Sequence, residues 1–233
     1  LDGDEKLISI LKNTLTTVAN HKHELGHIPS NVYFKENKQT QVSFGGLAGR
    51  VDTISGFIIG VCNYTNSTKD TAFFTKMKTP IEKGLSLLNA WEFNNNHLVY
   101  VPRSGNWADE YITEGHIFYD QVLRLWALRC FNQIENSQHI SEKINRVTAI
   151  IEENYTSGTS LHPVHPRAYN TVKKKPYWMA SINPSGYQTM FDAFGNRIAL
   201  LLELGDDTFR TNQIIYMEKL RKSLKLKLLP AFW

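Results

Sequence analysis

Hydrophobic residues recur at helical spacing in seven stretches of the chain, and these stretches alternate between two kinds. The first, third, fifth and seventh have one apolar face and one charged face. They span residues 4–20, 70–93, 141–155 and 208–224. The others are apolar on nearly all sides, which is typical of buried helices. They span residues 51–64, 115–131 and 194–204. The pattern predicts an all-α fold with an inner and an outer layer of helices.

Long polar segments precede the three predicted inner helices, whereas short connections precede the outer ones. Two of these segments are residues 21–50 and 156–192, and the third ends near residue 115. All three would therefore open at one end of the molecule, at the N-termini of the inner helices. We expect a two-layer α/α toroid whose polar loops share one rim, where a scaffold places its binding chemistry.

The composition fits a single folded domain over residues 1–233. Hydrophobic residues make up 42% and aromatic residues 12%, as in globular proteins. The net charge is only +4 and the basic runs are short, so we expect no nucleic-acid partner. No leader is recognisable, and no apolar run approaches the ~20 residues that span a bilayer. Cys62 and Cys130 lie in apolar stretches, which favours reduced thiols and a cytoplasmic location without membrane association.

Residues 105–116 are the densest candidate for binding chemistry. They hold a tryptophan, three carboxylates, a histidine and two glycines directly before the fourth helix. Residues 45–52 and 191–197 enter the other two inner helices, and each brings a carboxylate. Carboxylates beside aromatic rings suit carbohydrate, because acids transfer protons and rings cover sugar faces. The simpler alternative is that Asp52 and Asp192 only cap helices.

Three segments of the chain carry motifs in a fixed order. Residues 49–60 read Gly-Arg-Val-Asp-Thr-Ile-Ser-Gly-Phe-Ile-Ile-Gly, residues 106–110 read Asn-Trp-Ala-Asp-Glu, and residues 191–196 read Phe-Asp-Ala-Phe-Gly-Asn. They resemble the Val-Asp-Ser-Gly, Met-Ile-Asp-Arg-Arg and Phe-Asp-Thr-Arg-Gly-Asn segments of neutral and alkaline invertases. The second also resembles the Trp-Met-Asp-Ala of amylo-α-1,6-glucosidases, the glycogen-debranching domains. The resemblance runs from about residue 26 to residue 233.

This resemblance implies an inverting glycosidase with a six-hairpin (α/α)6 barrel, of which the chain would be a part truncated at both ends. Asp52 would be the general acid, and the base would be a Glu further along than the sequence reaches. Where invertases have two tryptophans and two arginines, this chain has Phe57-Ile58 and Glu110-Tyr111. These departures argue against sucrose itself more than against glycoside hydrolysis. The expected substrate is an α-glucoside or a sucrose-like oligosaccharide.

The expected sugar site draws on all three polar segments and on the start of the fourth helix. Its members are Arg50, Trp107, Asp109, Glu110, Tyr119, Asp120, Asp192 and Asn196. A helix N-terminus and the adjacent Arg50 would lower the pKa of Asp52, which is wrong for an acid catalyst. Burial, or a neighbouring carboxylate such as Asp109 or Glu110, must therefore raise it.

No cofactor and no metal are expected. The histidine pairs at 21/23 and 162/165 have no cysteine or clustered acid at ligand spacing. Two alternatives to a hydrolase remain open. One is a non-catalytic carbohydrate-binding or interaction module on the same fold. The other is a glycoside phosphorylase, in which phosphate replaces the catalytic base. The sequence does not indicate an oligomeric state.

Overall fold

A computed structural model describes residues 4–36, 39–46, 49–93, 96–108, 110–111, 113–156, 160 and 162–233. The described residues form eight helices and five short strands. The helices are α1 (Glu5–Asn20), α2 (Asp52–Thr68), α3 (Thr71–Ala90), α4 (Phe118–Glu135), α5 (Gln138–Asn154), α6 (Pro166–Tyr169), α7 (Ala193–Leu201) and α8 (Asp207–Ser223). The strands are β1 (Asn31–Phe34), β2 (Thr40–Ser43), β3 (His116–Ile117), β4 (Met179–Asn183) and β5 (Gly186–Phe191).

The seven predicted helices correspond to α1 to α5, α7 and α8, and aspartates begin several of them. The carboxylates of Asp4, Asp70 and Asp206 each accept a backbone N–H in the first turn of the helix that follows. Such caps satisfy N–H groups that have no partner inside the helix. The largest disagreements are at the ends of α2 and α4, which continue to Thr68 and Glu135, and at the start of α4, where β3 occupies two predicted helical residues.

The core is built around α2 and α4, which pack against each other along their length. Ile54, Ile58 and Val61 of α2 are fully buried, as are Val122 and Leu125 of α4. Helix α3 lies against α2, α5 lies against α4, and α7 contacts the other side of α4. The prediction that the second and fourth helices are buried is therefore confirmed.

Helix α7 departs from the prediction of an almost wholly buried helix. Ile198 and Ala199 are buried, but Phe194 is 55% exposed and Leu201 is 62% exposed. One side of α7 packs closely on α4: a Cβ added at Gly195 would lie 2.8 Å from Cδ1 of Phe118. The other side faces away from the described core. The sequence does not predict this exposure, because apolar composition alone does not tell which faces of a helix pack against other elements.

Two small antiparallel sheets occupy segments that the sequence pattern predicts to be loops. Strands β1 and β2 form a hairpin in register Asn31↔Ser43. Strands β3, β4 and β5 form a second sheet in that order, which joins the start of α4 to residues 179–191. The all-α expectation thus becomes a helix-rich fold with two short sheets. The second sheet lies directly before α4 and α7 and helps to bring their N-termini together.

The cysteines are buried, free thiols, as the sequence predicts. Burial raises the pKa of Cys62 to about 12, so this thiol stays protonated. Among the described residues, no helix combines the length and apolar character that a membrane span requires. The spacing of Gly56 and Gly60 in α2 predicts a close helix approach at both glycines. It occurs only at Gly60, where an added Cβ would meet Leu15 of α1 at 3.0 Å, since nothing lies within 4 Å of one at Gly56.

Candidate active site

Asp52 is the first residue of α2, and its side chain turns towards the loop before α4. Its Oδ2 accepts the backbone N–H of Trp107 at 2.9 Å. Its Oδ1 is buried and has no hydrogen-bond partner among the described residues. Burial raises the pKa of Asp52, against the opposing effects of the Trp107 N–H and the Arg50 charge. Burial therefore outweighs the lowering that a helix start and Arg50 would produce.

A second carboxylate, Asp120, lies in the first turn of α4 and is 3% exposed. Its Oδ2 accepts a hydrogen bond from Nδ2 of Asn106 at 2.9 Å, and its Oδ1 has no hydrogen-bond partner among the described residues. Burial holds the pKa of Asp120 well above its ordinary value, and the negative charge of Asp52 raises it further. This setting therefore favours the protonated, neutral form of the Asp120 carboxyl group.

The third carboxylate is the N-cap of α7. Oδ1 of Asp192 accepts the backbone N–H groups of Phe194 at 2.9 Å and Gly195 at 3.1 Å, so the capping interpretation is confirmed. Its Oδ2 is buried without a hydrogen-bond partner among the described residues, and burial raises the pKa of Asp192 to about 6. Capping uses only one of the two oxygens, so it does not by itself explain the buried second oxygen.

The N-termini of α2, α4 and α7 bring these three carboxylates together, and we call Asp52, Asp120 and Asp192 the acid cluster. Burial raises the pKa of the Tyr119 phenol, and the carboxyl groups of all three cluster members, when ionised, raise it further. A Cβ added at Gly195 would lie 2.9 Å from Oδ2 of Asp192 and 3.2 Å from Cα of Tyr119. Side chains distant in sequence thus share one desolvated region, although their roles in binding or catalysis stay predictions.

An aromatic wall adjoins the acid cluster. The ring of Trp107 lies 5.0 Å from that of Phe194 and is nearly parallel to Phe232, at 6.1 Å and 8° between planes. The ring of Tyr111 lies 4.8 Å from that of Phe232, and the ring of Tyr119 lies 6.1 Å from that of Trp107. Tyr111 and Phe194 are 48% and 55% exposed, so the wall presents aromatic faces to solvent. Such faces are suited to the C–H surfaces of sugar rings.

Phe232 reaches this wall because the end of the chain pairs with β5. The backbone N–H of Trp233 donates to the carbonyl of Phe191 at 2.9 Å, and Ala193 donates to Ala231 at 2.9 Å. This pairing places Phe232 opposite Asp192. The resulting strand-like segment covers one flank of the acid cluster.

The remaining predicted site residues have different surroundings. Glu110 is exposed, and Asp109 lies outside the described residues. Asn196 is fully buried, and both polar atoms of its side-chain amide form hydrogen bonds within the protein. Its Oδ1 accepts hydrogen bonds from the backbone N–H of Trp178 and from Nε2 of Gln213. Its Nδ2 donates to the backbone carbonyls of Trp178 and Asp192. Asn196 therefore holds α7 against its neighbours, which leaves no amide atom directed at a ligand.

Sequence reasoning missed the supporting residues Asn106, Tyr111, Phe194 and Phe232. Asn106 and Tyr111 lie next to the predicted site residues Trp107 and Glu110 in the loop before α4, and this proximity in sequence could have indicated them. The sequence does not indicate that Phe232 belongs to the wall, because its place there depends on pairing with a strand about 40 residues earlier. Within the described part of the chain, no group of three His, Cys, Asp or Glu side chains is arranged to hold a metal ion.

Comparison with known proteins identifies the fold. Neither a protein-family model nor a curated protein matches the amino-acid sequence. Among solved structures, a rhamnosidase from Klebsiella oxytoca with rhamnose bound is similar, with a TM-score of 0.65 at 12% identity. The match covers 91% of this chain but only 38% of the rhamnosidase chain. At this identity the likeness concerns architecture alone: the chain shares the helix-rich fold of a part of that rhamnosidase.

Proposed function

We propose that this chain contributes the proton donor and a sugar-binding wall to a glycoside hydrolase. The observation that carries the proposal is the desolvated carboxyl group of Asp52, whose raised pKa favours the protonated form that an acid catalyst needs. It lies in a cluster of three carboxylates beside exposed aromatic rings. The solved neighbour is a rhamnosidase with its sugar bound, which supports a carbohydrate substrate.

Asp52 is the best candidate for the donor within the acid cluster. Asp120 and Asp192 are 3% and 0% exposed, and each is tied to the protein by hydrogen bonds that hold its position. Asp52 is partly exposed and lies at the Trp107 end of the aromatic wall. In this proposal Asp52 protonates the glycosidic oxygen, and its burial, against the opposing charge of Arg50, keeps the proton available.

The finer features of the proposal come from the resemblance to invertases and debranching glucosidases. We propose an inverting reaction on an α-glucoside or a sucrose-like oligosaccharide, and helices α1 to α8 as part of an (α/α)6 barrel. An inverting enzyme also requires a carboxylate about 6.5–9.5 Å from the acid to activate water. Arg50, Trp107, Asp109, Glu110 and Tyr119 are the residues proposed to contact the sugar.

The test is hydrolysis of aryl glycosides by the wild-type protein and two matched variants. The panel contains 4-nitrophenyl α-glucoside and 4-nitrophenyl α-rhamnoside, with sucrose and maltose as natural sugars. Asp52→Asn should lower kcat by about 10²–10⁴-fold for a natural sugar, the usual contribution of general acid catalysis, and by less for a 4-nitrophenyl glycoside, whose leaving group needs less protonation. Asp206→Asn also replaces a helix N-cap aspartate, and asparagine caps equally well, so this control should keep wild-type activity.

Two results would contradict the proposal. One is unchanged hydrolysis by Asp52→Asn. The other is the absence of turnover by the wild-type protein across the panel, with and without added phosphate. Turnover that requires phosphate would instead identify a glycoside phosphorylase, and the anomeric form of the product, read by NMR, would separate inversion from retention.

A further inference from the structure

A depression of about 600 Å³ lies between the loop after α1, the end of β2 and the last turn of α3. Its walls include the ring of His27 and two aromatic rings that contact it. The His27 ring lies 5.1 Å from Phe44 and 5.6 Å from Trp91. This volume is within the range of small-molecule sites, and neither the acid cluster nor the aromatic wall lines it.

Two further depressions share lining residues with the first. One, of about 200 Å³, shares Trp91 with it and also contacts Phe93 and Tyr100. The next, of about 310 Å³, shares Phe93 and Tyr100 and extends to His116. The rings along this path touch one another: Phe93 and Tyr100 are 5.8 Å apart, and Tyr100 and His116 are 5.5 Å apart. We call the three depressions together the aromatic groove.

The groove has a mixed polar and apolar lining without charged side chains. Among the described residues that line its three depressions there is no Lys, Arg, Asp or Glu. Burial lowers the pKa of both His27 and His116, which keeps these rings neutral around neutral pH. Nε2 of His27 lies 2.8 Å from the carbonyl oxygen of Arg50, so this nitrogen donates and Nδ1 is left as an acceptor. Such a lining suits a ligand with hydroxyl groups and no charge.

The groove passes beside the proposed acid. Val51 lines its middle depression and directly precedes Asp52 in the chain. The N–H of Val51 donates to the carbonyl of Gly105 at 2.7 Å, which joins the groove to the loop that carries Trp107. The middle depression therefore lies next to the start of α2, the helix whose first residue is Asp52.

We infer that the aromatic groove binds an extended, uncharged oligosaccharide that occupies the three depressions in series. This inference takes the carbohydrate class from the proposed function and adds two properties, length and neutrality. A disaccharide such as sucrose would leave most of the groove unfilled, and an acidic glycan would meet no positive side chain in it. The predicted substrate is a neutral oligosaccharide of about three or more rings, because a shorter sugar would leave most of the combined volume of the depressions unfilled.

The test measures binding to a panel of immobilised sugars in the Asp52→Asn background, so that turnover does not consume the ligand. The panel contains gluco-, rhamno- and galacto-oligosaccharides of one to six rings and oligogalacturonates of the same lengths. Binding should increase with each added ring up to three and should be restricted to neutral sugars. Phe93→Ala should weaken binding about tenfold, because stacking on one ring is lost, and Phe93→Tyr should restore it.

Tyr33→Ala is the matched control, since Tyr33 is 61% exposed on β1 and outside the groove, while Phe93 is 54% exposed. Both variants should unfold at the wild-type temperature. The inference is overturned if no panel sugar binds, if binding does not depend on length, if oligogalacturonates bind equally well, or if Phe93→Ala binds like the control. Length-dependent binding without hydrolysis would refute the proposed function alone, whereas hydrolysis with binding that ignores length would refute the groove alone.

Discussion

The buried carboxyl group of Asp192 should make the stability of this protein fall as the pH rises. Its side chain is fully buried, and burial raises its pKa from the ordinary 3.8 to about 6. The folded protein therefore binds a proton on Asp192 over a pH range where the unfolded chain has lost it. The perturbation that isolates this effect is Asp192→Asn, which keeps an oxygen to cap α7 and removes the ionisation.

The size of the effect follows from the two pKa values. A tenfold difference in proton affinity corresponds to about 1.36 kcal/mol, so a rise from 3.8 to about 6 corresponds to roughly 3 kcal/mol. Because the folded pKa is the higher one, this stabilisation is fully present below pH 3.8 and is lost as the pH rises through about 6. Between pH 4 and pH 7.5 the wild type should lose about 2–3 kcal/mol relative to Asp192→Asn.

Urea unfolding of both proteins at half-unit intervals from pH 4 to pH 7.5 measures this difference directly. Asp70→Asn provides a control of opposite sign: Asp70 also caps a helix, but its hydrogen bond to Lys12 lowers its pKa. The stabilisation from Asp70 is therefore lost as the pH falls, so the difference between wild type and Asp70→Asn should change in the reverse direction. A difference between wild type and Asp192→Asn that is constant with pH would refute the burial argument.

Two further predictions concern stability. Arg124→Met should lower the free energy of unfolding by about 1–3 kcal/mol, because Glu92, 5% exposed, would keep only Lys143 of its two ion-pair partners. Replacing Arg124, Glu92 and Lys143 together by uncharged residues should recover much of this loss in urea unfolding. Gly195→Ala should destabilise by about 1–3 kcal/mol, since its Cβ would lie 2.8 Å from Phe118. The control Gly56→Ala, with open space around the added Cβ, should instead stabilise α2 by about 0.5–1 kcal/mol. Equal effects of the two alanines would contradict the packing described for α7.

The periodic signal in the sequence predicted the helices well because burial and helical spacing coincide in α2 and α4. Strands β1 and β2 have four residues each and are largely exposed, so they carry too few alternating apolar positions to be recognised. Strand β4 is buried on both faces and also lacks alternation. In α7 the apolar composition was read correctly but its exposure was not, because exposure depends on which neighbours are present.

The candidate site was predictable in part. Asp52 and Asp192 were identified from their place at helix starts, and the structure adds that burial, rather than a neighbouring acid, raises the pKa of Asp52. The amide of Asn196 was assigned to sugar binding, yet it is engaged inside the protein by Trp178 and Gln213. Side-chain partners from distant segments decide such roles, and local sequence does not record them.

The most direct test of the central claim compares two aryl glycosides of the same sugar in the Asp52→Asn variant. A phenyl glycoside needs its leaving oxygen protonated, whereas a 2,4-dinitrophenyl glycoside leaves without that help. If Asp52 is the proton donor, the substitution should reduce kcat/KM about 10²–10⁴-fold for the first and less than about tenfold for the second. Equal losses for both substrates would show that Asp52 does not donate the proton.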